Sequence, residues 1–138
     1  MLEPGKPVIL GHLEVTPVPV NHAVPTVGYV VKDRQAAFLY SGDTYQTDEI
    51  WSLGRTIPEL KAALIESSFP DELGELAKKS KHLTPALFLK EFQKLGRPDL
   101  PVYAYHMKPS VRRQIETQIN RLGIERVAFL EEDQIITL

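Results

Sequence analysis

The first quarter of the chain is patterned against helices. Prolines stand at positions 4, 7, 17, 19 and 25, and each fixes φ and removes a backbone donor. Between them, Leu13-Glu14-Val15-Thr16-Pro17-Val18 alternates in a strand-like way. Val27-Gly28-Tyr29-Val30-Val31 and Ala36-Ala37-Phe38-Leu39-Tyr40 flank Asp33-Arg34-Gln35, a polar link short enough for a hairpin. The near-continuous apolarity of both runs predicts strands covered on both faces.

Beyond Tyr40 the apolar spacing lengthens. Thr47-Asp48-Glu49-Ile50-Trp51 predicts a helix start with Thr47 as cap and acidic first-turn positions, and Gly54 is its expected stop. Leu60 to Ile65 reads as a strand, with a short helix as the alternative because Lys61-Ala62-Ala63 favours helix. Asp71 to Ser80 predicts a helix. Thr84 and Pro85 mark another helix entry, after which Leu87, Phe88, Phe92 and Leu95 line one face until Gly96. Pro101 to His106 reads as a strand. Ser110 is the expected cap of a helix striped by Val111, Ile115, Ile119 and Leu122 and stopped by Gly123. Arg126 to Leu130 and Gln134 to Leu138 are expected as short strands around Glu132-Asp133. Strands first, then alternating helix and strand, predict an α/β fold with helices packed on a sheet.

The chain has 138 residues, which predicts a single domain over 1–138. It is 43% hydrophobic and 25% charged with net charge −2, which excludes a disordered tail and a highly basic nucleic-acid clamp. Lys78-Lys79-Ser80-Lys81 accordingly reads as a solvated helix end, where positive charge suits the helix dipole. No apolar run approaches the ~20 residues needed to cross a bilayer, so no membrane partner is expected. The start of the chain carries no signal-peptide pattern, which favours the cytoplasm. Cysteine is absent, so disulfides, thiolate nucleophiles and Cys-ligated zinc are excluded.

Chemistry rests on histidine and aspartate. His22 follows a predicted strand, Asp43 follows Ala36 to Tyr40 in Ser41-Gly42-Asp43-Thr44, and His106 ends Pro101 to His106. Residues leaving the ends of neighbouring strands can converge along one sheet edge. Two imidazoles and a carboxylate meeting there would suit a borderline or hard divalent metal. Taken singly, each has an ordinary role as well. A strand-end histidine is commonly a hydrogen-bonded structural residue, Asp43 can serve a turn, and His82 can decorate the loop before an N-cap. His12 stands outside any constellation and reads as structural. Asn21, Tyr105 and Lys108 carry no independent signal.

In order along the chain, Asn21-His22, Ser41-Gly42-Asp43-Thr44, His82-Leu83-Thr84-Pro85 and Tyr105-His106-Met107-Lys108-Pro109 resemble the later motifs of the metallo-β-lactamase superfamily. The likeness is strongest to class II cyclic-nucleotide phosphodiesterases and their ribonuclease Z-like relatives. Leu64-Ile65-Glu66-Ser67-Ser68-Phe69-Pro70 and the ending Val127 to Leu138 also resemble that group, so the resemblance runs over nearly the whole chain.

The resemblance implies half of a four-layer αββα sandwich, one mixed sheet with helices on its outer face. It implies that His22 ligates one metal, Asp43 bridges two, and His106 ligates the second. The implied cofactor is a divalent metal, zinc first, with manganese or iron as alternatives. His82 resembles a non-ligand catalytic histidine that stabilises or protonates the departing oxygen. The implied activity is metal-dependent hydrolysis of a small-molecule phosphodiester, a 3′,5′-cyclic nucleotide by preference. The family's His-x-His-x-Asp-His motif, source of the remaining ligands, is absent. The site is therefore expected to need completion by an N-terminal half, with a non-catalytic remnant or interaction module as the alternative. The sheet face that a second half would cover is expected to expose an apolar patch. Pairing through it, as a homo-oligomer or with a first-half polypeptide, is the expected consequence.

Overall fold

The computed structural model describes residues 3–138. Seven strands form one sheet in which each lies beside its neighbour in sequence, in the order β1 to β7. β1 (Val8–Leu10), β2 (Leu13–Val20), β3 (Thr26–Lys32) and β4 (Ala37–Tyr40) form an antiparallel meander. β5 (Leu60–Glu66), β6 (Val102–Tyr105) and β7 (Val127–Phe129) then add parallel to β4. Parallel neighbours need crossovers. α1 (Glu49–Arg55) links β4 to β5, α2 (Gly74–Ser80) and α3 (Pro85–Gln93) link β5 to β6, and α4 (Arg112–Asn120) links β6 to β7. Because the strand order advances in one direction, right-handed crossovers put every helix on the same face.

That face holds the core. Val30, Leu39, Ala63 and Val102 are register partners across four strands, and all are buried. Trp51 and Ile50 from α1, Phe88 and Phe92 from α3, and Ile115 and Ile119 from α4 close over them. Two glycines let α1 approach. A Cβ on Gly28 would stand 2.5 Å from Ile50 Cδ1, and one on Gly54 would stand 2.8 Å from both Leu39 and Leu95. The opposite face carries a second register row of Tyr29, Tyr40, Leu64, Tyr103 and Ala128, all half-buried. Among the described residues, no helix covers this row.

Several expected boundaries change. Gly54 lies inside α1 as a packing contact and does not stop it; Thr56 caps the helix end, and Asp48, not Thr47, is the N-cap residue. Asp71–Leu73 is a 3₁₀ turn leading into α2. Ser110 sits within a second 3₁₀ turn, Pro109–Val111, so Val111 takes the N-cap position of α4. Pro109 at the start of that turn accounts for the shift, since it can open a turn but cannot donate within one. Gln134 to Leu138 is not a strand. After a turn with Asp133 at φ 60°, this tail crosses the uncovered face, and Ile136 and Leu138 share a hollow with Phe38 and Leu64.

Candidate metal centre

β2 is antiparallel to β3, and β3 to β4, so β2 runs the same way as β4, β5 and β6. The carboxyl ends of these four strands therefore open on one rim of the sheet, which is where open α/β sheets bind ligands. His22 comes from the loop after β2, Asp43 from the loop after β4, Glu66 from the last position of β5, and His106 from the residue after β6. His82 reaches the same place from the segment between α2 and α3.

Backbone geometry aims each of them. Gly42 turns at φ 63°, and a Cβ there would stand 2.7 Å from the Val27 carbonyl oxygen; only glycine fits both demands. Tyr105 OH donates to the Gly42 carbonyl at 2.8 Å, bracing the turn that carries Asp43. Asn21 ties its loop to the next. Its N–H donates to Thr44 Oγ1 at 3.2 Å, its side-chain amide donates to the Gln46 carbonyl at 2.9 Å, and its own carbonyl accepts from Tyr45 N–H at 2.7 Å. Lys81 is left-handed at φ 60° as the C-cap of α2, and its carbonyl lies 3.0 Å from His22 Nδ1. His106 is itself left-handed at φ 63°, a conformation a non-glycine residue holds only when its surroundings impose it.

The side chains meet. His22, Asp43 and His82 offer ligand atoms within 4.8 Å of one another, as do Glu66, His82 and His106. Asp43 Oδ1 lies 3.4 Å from His106 Nδ1. The His82 ring centroid lies 5.0 Å from that of His22 and 5.3 Å from that of His106. Asp43 and His106 side chains are about one-third exposed and form the mouth, whereas Glu66 is fully buried beneath. His12 lies in the exposed turn between β1 and β2, away from this group.

Glu66 organises the floor. Oε1 accepts from Thr44 N–H at 2.9 Å and from His82 Nδ1 at 2.7 Å, while Oε2 accepts from Leu83 N–H at 3.2 Å and Ser68 Oγ at 2.8 Å. Sequence reasoning gave Glu66 no role, although a carboxylate closing an otherwise apolar strand was a visible signal. Ser68 Oγ also lies 3.2 Å from His82 Nδ1 and 3.0 Å from His106 Nδ1. Burial pushes the Tyr105 phenol far above its ordinary pKa, so it stays a neutral donor behind Asp43. At the rim, Lys81 Nζ sits 5.6 Å over the Tyr45 ring and Lys108 Nζ 5.7 Å over Phe69, whose ring edges His82 at 5.9 Å.

The donor set suits a divalent cation. A backbone carbonyl can only accept, so His22 donates from Nδ1 to Lys81 and keeps Nε2 as a lone-pair donor. Imidazoles oriented through their second nitrogen beside a carboxylate are the usual make-up of such sites.

Solved structures share this architecture. The metallo-β-lactamase fold protein YhfI from Bacillus subtilis superposes with a TM-score of 0.77 at 13% identity, covering 94% of this chain and 51% of that one. Human tRNase Z, short form, gives 0.70 at 15% identity over 94% of this chain and 45% of that one. Zn²⁺-bound PqqB from Methylobacterium extorquens gives 0.70 at 12% identity over 98% and 54%. The chain thus spans about half the length of the structures it matches. No curated protein matches the sequence. Residues 1–128 match the family model described as the beta-lactamase superfamily domain; with a mixed seven-strand sheet in the metallo-β-lactamase fold, the chain belongs to that superfamily.

Proposed function

We propose that this chain carries one side of a metal-dependent phosphodiester hydrolase site, with a 3′,5′-cyclic nucleotide as the substrate class. The observation that carries this reading is the meeting of His22, Asp43, His82 and His106 on one rim. Likeness in fold to human tRNase Z supports phosphodiester chemistry, and Lys81 and Lys108 put positive charge beside the cluster where an anionic substrate would lie.

The fold family implies a divalent cation, and the donors fit one. His22, Asp43 and His106 would hold it, with zinc favoured by the imidazole content and manganese or iron next. When bound, the cation supplies Lewis-acid polarisation of a phosphoryl oxygen and an ionised water near neutral pH. His82 supplies the proton. Its Nδ1–H stays on Glu66 and keeps the ring oriented, while Nε2–H is given to the departing oxygen. Tyr45 and Phe69 offer aromatic faces for a base next to the two lysines. The remaining ligands would come from a second sheet laid on the row of Tyr29, Tyr40, Leu64 and Tyr103.

The test is calorimetric titration of the chain with zinc and with manganese, followed by hydrolysis of 3′,5′-cyclic AMP. Binding should be lost in His22→Ala and Asp43→Ala and kept in His12→Ala. His82→Ala should retain the metal, and should lose turnover where a second half completes the site. Metal binding that is indifferent to His22 and Asp43 removes the reading.

A further inference from the structure

We infer that Ser68 is a positioning residue that fixes the His106 imidazole in its Nδ1–H tautomer and so leaves Nε2 as its one lone-pair nitrogen; this rests on the reading of His106 as a metal ligand. The argument is a proton count. Ser68 Oγ has one hydrogen to give and two lone pairs to receive, and it has three neighbours: Glu66 Oε2 at 2.8 Å, His82 Nδ1 at 3.2 Å and His106 Nδ1 at 3.0 Å. The Glu66 carboxylate only accepts, and two backbone N–H groups, from Thr44 and Leu83, already point at its oxygens. The Ser68 hydrogen therefore goes to Glu66. That leaves Ser68 Oγ an acceptor toward both rings, so both rings must bring the hydrogen on Nδ1.

The two histidines differ in what else holds them. His82 Nδ1–H has Glu66 Oε1 at 2.7 Å as its main acceptor, with Ser68 as the longer branch. His106 Nδ1–H has Ser68 at 3.0 Å, and its other neighbour, Asp43 Oδ1, is longer at 3.4 Å. Ser68 is fully buried, so water does not compete for these lone pairs. Removing the hydroxyl should free the tautomer of His106 while leaving that of His82 in place. One hydroxyl thus connects the buried carboxylate to the exposed ligand, and its loss is felt at the mouth of the site rather than at its floor.

The experiment is long-range ¹H–¹⁵N correlation NMR of the metal-free chain with ¹⁵N-labelled histidine at pH 8, where imidazole is ordinarily neutral. Wild type should show His82 and His106 both as Nδ1–H tautomers. Ser68→Ala should move His106 toward the Nε2–H tautomer that free histidine favours and leave His82 unmoved, an internal check that the fold survives. Ser68→Thr, which keeps the hydroxyl, should restore the wild-type pattern. His106 found as Nε2–H in wild type, or unchanged in Ser68→Ala, overturns the inference, and the wild-type arm needs no variant to fold. In parallel, zinc affinity should fall ~10–100-fold in Ser68→Ala and recover in Ser68→Thr. Absent zinc binding with the tautomer pattern intact defeats the metal reading alone.

Discussion

Glu66 receives four donors on two oxygens, two of them backbone amides that cannot move without moving the loops they belong to. Glu66→Gln offers one acceptor oxygen and one amide group that donates, so buried donors are left facing a donor. The expected cost is about 1–3 kcal/mol of stability, read as a lower urea midpoint with an unchanged slope. At this scale the convergence of candidate side chains is legible in the sequence: the strand-end positions of His22, Asp43 and His106 predict a shared rim, and their side chains gather there with His82. Glu66 and Ser68 stood in a phrase noted only for its likeness. Asn21 and Tyr105 carry no signal of their own outside the family motifs, because their work is to grip groups 23 and 63 positions away. No local spacing encodes such contacts.

Between elements, a polar staple joins α1 to α3 inside an apolar interface. Glu91, fully buried, accepts from Trp51 Nε1 at 2.6 Å and Thr47 N–H at 3.1 Å, and its other oxygen meets Lys94 Nζ at 2.8 Å. Partial burial by itself would lower the Lys94 pKa; the pairs with Glu91 and then Asp48 outweigh it and hold the ammonium above its ordinary value. A group whose pKa is raised on folding contributes stability that is complete below its unfolded pKa and is lost as pH rises through the folded one. Wild type should therefore unfold at higher urea than Lys94→Met at pH 8, with the gap closing as pH passes above about 10.5. A constant gap would show that the lysine acts through its methylene stem and not its charge. Element types were legible from periodicity, hairpin links and proline placement. β1 went unseen because its three residues are largely exposed and follow Pro7. The tail from Gln134 misled because its alternation is met by side-chain packing, Ile136 inward and Ile135 90% exposed, without a partner strand.

For the molecule as a whole, two faces of one sheet have different fates. The helix side is sealed; the row from Tyr29 to Ala128 has only the tail above part of it. Each further 100 Å² of this face removed from water is worth about 2.5 kcal/mol before the costs of association. In isolation the chain should sediment above monomer mass with increasing concentration, and Leu64→Arg should return it to monomer. A monodisperse wild-type monomer that binds no hydrophobic dye contradicts this expectation.

The parallel run of β2, β4, β5 and β6 has another result. The candidate ligands at the strand ends leave by one rim, and the turns Gly11-His12, Asp33 to Gln35, Arg97 to Asp99 and Gly123 to Arg126 lie on the other. Those turns are natural anchor points: a tether, fluorophore or inserted peptide attached there would sit a full strand's length from the candidate site.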